Sequence, residues 1–93
     1  MKTKFKNVDV IDDATPVLIK GVTLEVEKKG LRQSTKRPKS ELLTPWSLIY
    51  FPERAENTVS LTFVGRPIQT FYTLKSRGDA KDLYKGITKH LSK

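Results

Sequence analysis

The one histidine of this sequence, His90, is the side chain whose ordinary pKa best suits proton transfer near neutral pH. A general base also needs an orienting partner and a cleft. His90 falls in the last turn of a helical pattern, where a capping or solvent-exposed role is the simpler expectation. One imidazole does not make a histidine metal site, and the chain has no cysteine. That removes cysteine-ligated zinc, iron–sulfur clusters and thiol chemistry. Glu25 and Glu27 stand two apart, the spacing of a carboxylate pair on one strand face. They alternate with Leu24 and Val26 and run into Lys28 and Lys29, so they read as a solvated face. Asp12 and Asp13, ahead of Pro16, have turn chemistry. Residues 30–36 begin with a glycine but lack the second glycine and the Gly-Lys-Ser/Thr ending of a phosphate loop. Arg77-Gly78-Asp79 matches an adhesion tripeptide, yet Ser76 just before it makes the same residues a helix cap. The expectation is a protein that is not an enzyme, with no cofactor, no metal and no small-molecule substrate.

Cations carry the remaining signal. The net charge is +8, from 18 Lys and Arg against 10 Asp and Glu. Lys28, Lys29, Arg32, Lys36, Arg37 and Lys39 follow one another with no acid between them. Such a run can engage phosphates in a salt-dependent way, meet an anionic membrane surface, or steer toward an acidic protein; it can also be merely solvated. It contains no aromatic residue to stack on bases, and no helix carries a row of Arg or Asn suited to a major groove. Nucleic-acid binding through residues 28–39 would therefore be backbone-driven and weakly specific. Lys2, Lys4 and Lys6 offer a second basic arm.

These residues must be held by one small domain, residues 1–93. Phe5, Val8 and Val10 suggest a short first strand or a mobile arm. Val22, Leu24 and Val26 at a spacing of two predict a half-buried strand, with Gly21 as a bulge or bend before it. Residues 28–40 interrupt the pattern with Gly30 and Pro38 and read as an exposed basic loop. Trp46 to Phe51, bracketed by Pro45 and Pro52, reads as a strand with large side chains on both faces. One face is core; the other is either covered or used, and Trp46 and Tyr50 are then its partner-binding anchors. Val59, Leu61 and Phe63 alternate, Gly65-Arg66-Pro67 turns the chain, and residues 68–74 alternate again, which predicts a hairpin. Ala80, Leu83, Tyr84, Ile87 and Leu91 then recur at three and four, the stripe of an amphipathic helix over 78–92. No apolar run reaches the ~20 residues of a membrane span. The basic start is followed by Asn7, Asp9, Asp12 and Asp13 rather than an apolar stretch, so a cytoplasmic location is expected.

The fold class expected is α+β: a strongly bent antiparallel sheet or small barrel of about six strands, closed by one C-terminal amphipathic helix. Over residues 40–92 the order of elements resembles a pleckstrin-homology-like domain of bacterial or phage size. The resemblance rests on Trp46-Ser47-Leu48-Ile49, a polar turn, Val59-Ser60-Leu61-Thr62-Phe63, a further aromatic strand, and Ser76 with Asp79-Ala80-Lys81-Asp82-Leu83-Tyr84 opening the helix. That family usually has seven strands, and a last helix plugs an open end of its bent sheet. The resemblance implies a scaffold for peptide, protein or phosphoinositide binding without catalysis. The functional expectation is a small adaptor or regulator that docks on a cellular protein through an acidic surface, with nucleic acid as the alternative partner and an anionic membrane surface as the third.

Overall fold

The computed structural model describes residues 2–12, 15–66 and 69–91, with the backbone alone for 15–17. The first strand, β1 (Lys4–Asp12), is not a mobile arm but the centre of the sheet, bonded to β2 (Thr15–Val26) on one side and to β7 (Gln69–Thr73) on the other. Its apolar residues are spaced by three and then two, which a regular strand cannot bury together. The backbone resolves this with two bulges. Asn7, at φ 56°, takes up an extra residue between the pairs Phe5–Leu24 and Val8–Val22. Gly21, at φ 72°, does the same on β2 before the pair Val10–Ile19. Both sit in the left-handed region, which Gly enters freely and Asn more readily than most. Phe5, Val8, Val22 and Leu24 are thereby fully buried on one face, and the paired strands bend, as bulges make them do.

The exposed basic loop expected over 28–40 is replaced by a β-hairpin. β3 (Gly30–Lys36) and β4 (Lys39–Pro45) pair in unbroken register from Gly30–Pro45 to Lys36–Lys39. Two residues that argued against regular structure have positional roles. The Arg37-Pro38 peptide, which is cis, forms the turn, and Thr35 Oγ1 donates to the Pro38 carbonyl at 2.7 Å. Gly30 lies where a Cβ would run into the carbonyl oxygen of Thr44, so only glycine lets the strands approach there. The hairpin is tied to the core by Leu31, which is buried opposite Val26.

The strand expected at Trp46–Phe51 is also divided. Trp46–Leu48 form a single 3-10 turn, and β5 (Ile49–Ala55) starts only at Ile49. Its inward–outward alternation fails after Ile49, because Phe51 has φ 52° and the register with β6 (Thr58–Phe63) shifts between Tyr50 and Glu53. β6 and β7 pair as the alternation predicted, with Thr70, Tyr72 and Leu74 turned inward; residues 67 and 68 of their connection, like 13 and 14 of the first turn, lie outside the described residues.

All seven strands join one antiparallel sheet in the order β4-β3-β2-β1-β7-β6-β5. β4 and β5 do not pair with each other, so the sheet is open and not the small barrel expected as one option. The helix, α1 (Arg77–Leu91), packs against β5, β6, β2 and the 3-10 turn; position 92 of the expected helix lies outside the described residues. Ala80, Leu83, Gly86 and Ile87 form its buried stripe. Ser76 caps it by accepting the Asp79 N–H at 3.1 Å. The Asp79 carboxylate does not complete a reciprocal box; it pairs with Lys2 at 3.1 Å. The fold is α+β, with the core on one face of a bent sheet and a helix over one end. No helix among the described residues is long and apolar enough to cross a membrane.

Candidate functional site

The hairpin separates the cations that are contiguous in sequence. Lys28 and Lys29 lie at the β2–β3 connection, both exposed. Lys36, Arg37 and Lys39 lie at the opposite tip, also exposed. Residues 30–35 of β3 stand between the two groups, roughly 20 Å at ~3.3 Å per residue. That exceeds the ~8 Å screening length at physiological salt, so they act as two clusters. Arg32, in the middle, is committed elsewhere: its Nε and Nη2 donate to the Glu27 carboxylate at 2.5 and 3.3 Å. The hydrogen bond from Arg32 holds the Glu27 carboxyl below its usual range. By contrast, no carboxylate among the described residues forms an ion pair with Lys36, Arg37 or Lys39. Lys36 and Lys39 are direct cross-strand partners, and like charges in that position repel.

On the outer face of β1–β4 the folding chain gathers Lys4, Lys6, Arg32 and Lys36 into one polar groove. The expected second basic arm thus joins part of the first. Glu25 and Glu41 line the same groove, so its charge is mixed rather than uniformly positive.

The aromatic anchors do not form one surface. Trp46 is half-buried; its indole N–H donates to the Glu27 carbonyl at 2.9 Å. Its ring stacks on His90 at 4.7 Å and 4°. It therefore links the end of β2 to the last turn of α1, where His90 is half-buried. Tyr50 is partly exposed on β5 and meets Phe51 edge-on at 4.9 Å. Phe51, 71% exposed, is the residue the left-handed backbone turns outward.

The feature that sequence reasoning missed is a cleft of about 480 Å³ between β4 and the β5–β6 side of the open sheet. Leu42, Leu43, Thr44 and Pro45 form one wall; Leu48, Phe63 and Val64 form the other; Val10 and Tyr72 are buried at its floor, and Ile19 adds exposed lining. Burial pushes the Tyr72 hydroxyl pKa far up, so it stays neutral at any physiological pH. Arg66 and Asp12 pair at 3.6 Å on the lining, and the guanidinium also lies 5.8 Å from the Phe63 ring centroid. Leu42, Leu48 and Val64 are 54%, 42% and 55% exposed, so the cleft presents aliphatic surface to solvent. Among the described residues no three His, Cys, Asp or Glu gather where they could hold a metal ion. The chemistry on offer is apolar burial, main-chain hydrogen bonding at a strand edge, and cationic steering. No protein-family model matches this chain, and no curated protein matches its sequence.

Proposed function

We propose that this protein is a non-catalytic binding module that docks on another protein through the β3–β4 hairpin and the cleft beside it. The observation that carries the reading is that one strand, β4, runs from a cationic tip, Lys36, Arg37 and Lys39, without ion-pair partners among the described residues, to a cleft with exposed Leu42, Leu48 and Val64. Apolar anchors with a charged rim are the usual make-up of a protein interface. An acidic partner surface would relieve the repulsion between Lys36 and Lys39. A pleckstrin-homology-like assignment is consistent with this use, and it is supported by the seven strands followed by one helix over an end of the sheet; a fold alone does not assign a partner. Nucleic acid is less favoured because the tip has no aromatic residue and Arg32 is held by Glu27.

The test is affinity capture from nuclease-treated lysate by the parent and by the Lys36→Glu, Arg37→Glu, Lys39→Glu triple variant. A protein retained by the parent and captured in smaller amount by the variant at low salt supports the reading. Loss of every partner on nuclease treatment contradicts it and favours nucleic acid.

A further inference from the structure

We infer that the free edge of β4 accepts an extended segment of the partner as an added strand, with aliphatic side chains entering the cleft and acidic residues meeting the hairpin tip. The inference rests on the protein-binding reading and specifies its site and partner chemistry. A sheet edge presents unpaired N–H and C=O groups that template another strand. This sheet has two edges, and they differ. β5 is protected: Phe51 has φ 52°, the register shifts beside it, Pro52 has no N–H to offer, and α1 lies against the strand. β4 pairs only with β3, in regular register along its whole length, and its one proline is the last residue.

The side chains along β4 match an extended occupant. Leu42 and Thr44, two apart and so on one face of the strand, line the cleft together with Leu43 and Pro45, so the cleft runs along the edge of β4. A strand laid beside them would send alternate side chains into the space bounded by Leu48, Phe63 and Val64. Toward the other end of β4 the cross-strand pair Lys36–Lys39 and the turn residue Arg37 stand without ion-pair partners among the described residues. Charge complementarity therefore orders the occupant. About seven residues cover the seven of β4, with Asp or Glu beside the tip and Val, Leu or Ile at alternate positions beside Leu42 and Thr44. A nucleic acid cannot supply the ladder of main-chain hydrogen bonds that the edge offers.

The experiment is selection from a displayed library of random dodecapeptides on the intact protein, counter-selected on Leu42→Asp and on Val64→Asp. Both replaced side chains are about half exposed, so thermal melts should match the parent. Enriched peptides are expected to place alternate aliphatic residues next to an acidic cluster. A synthetic copy should shift the backbone amides of residues 39–45 in ¹⁵N-labelled protein and protect them from hydrogen exchange. Either Asp variant should weaken it at least tenfold. N-methylating one alternate set of its backbone nitrogens should abolish binding, and the other set should not. Absence of enrichment, or enriched peptides that shift β5 or the outer polar groove, overturns the inference. Acidic peptides without alternation that shift only residues 36–39 overturn strand addition but leave the protein-binding reading intact. Capture of nucleic acid alone in the lysate experiment removes both.

Discussion

Replacing Gly86 by alanine sets two effects of similar size against each other. Within a helix, alanine is favoured over glycine by about 1 kcal/mol, so on an exposed face the change would stabilise. Gly86 is buried against β2, and an added Cβ would lie 3.3 Å from both Cγ1 and Cγ2 of Val26. Because the two methyls are equally close, any change of the Val26 rotamer leaves one of them in the way. Overpacking of this kind costs about 1–3 kcal/mol. The crowding should win, and Gly86→Ala should destabilise the protein by about 1 kcal/mol, equivalent to a melting temperature roughly 4–8 °C lower for a domain of this size. In a Val26→Ala background the obstacle is gone and the same substitution should stabilise by up to about 1 kcal/mol. Urea denaturation of the four proteins of this double-mutant cycle measures both numbers and their coupling. Gly86→Ala stabilising the parent and the Val26→Ala protein equally would refute the close approach of α1 to β2.

Leu83→Ala and Ile87→Ala, both at fully buried positions, should each cost about 2–5 kcal/mol in chemical denaturation. Replacing residues 31–37 by a Gly/Ser linker should lower the melting temperature markedly, because it removes a paired strand and buried Leu31 rather than a solvated loop; an unchanged melt would contradict the hairpin. Gly30→Ala should disrupt the same pairing through its clash with the Thr44 carbonyl, seen as loss of exchange protection in β3 and β4. The depressed pKa of Glu27 stabilises the folded state at neutral pH, and that contribution fades as pH falls from about 4.5, its ordinary value, through the lowered folded value. Glu27→Gln should thus flatten the acid limb of the stability profile in that window, whereas an unaltered acid limb would mean that the Arg32 bond does not persist in solution.

The elements that were legible in the sequence are those whose burial is local and periodic. Val22, Leu24 and Val26 marked β2, and the Ala80–Leu91 stripe marked α1, because one face of each element meets the core. β1 was half legible: Phe5, Val8 and Val10 are out of step until Asn7 is known to be left-handed. The β3–β4 hairpin was hidden because it buries only Leu31 and Gly30, leaving a polar, cationic pattern that a solvated loop would share. Trp46 was half legible for a different reason. It opens a 3-10 turn rather than a strand, and its contacts with the Glu27 carbonyl and the His90 ring lie 19 and 44 residues away in sequence. The cleft had no local signal at all, since Leu42, Leu48 and Val64 come from three parts of the chain and meet only because β4 and β5 fail to pair.

Binding kinetics of the captured partner test the central claim most directly. The rates would be measured at several salt concentrations with the parent, the Lys36→Glu, Arg37→Glu, Lys39→Glu triple variant, and Leu42→Asp. The triple variant changes the net charge of +8 by six units at one place. If the tip steers and the cleft holds, the triple variant should associate more slowly, with its deficit shrinking as salt rises, while its dissociation rate barely moves. Leu42→Asp should do the reverse and raise the dissociation rate. A triple variant with unchanged association at low salt, together with an unchanged dissociation rate for Leu42→Asp, would contradict the account and leave the hairpin a solvated projection.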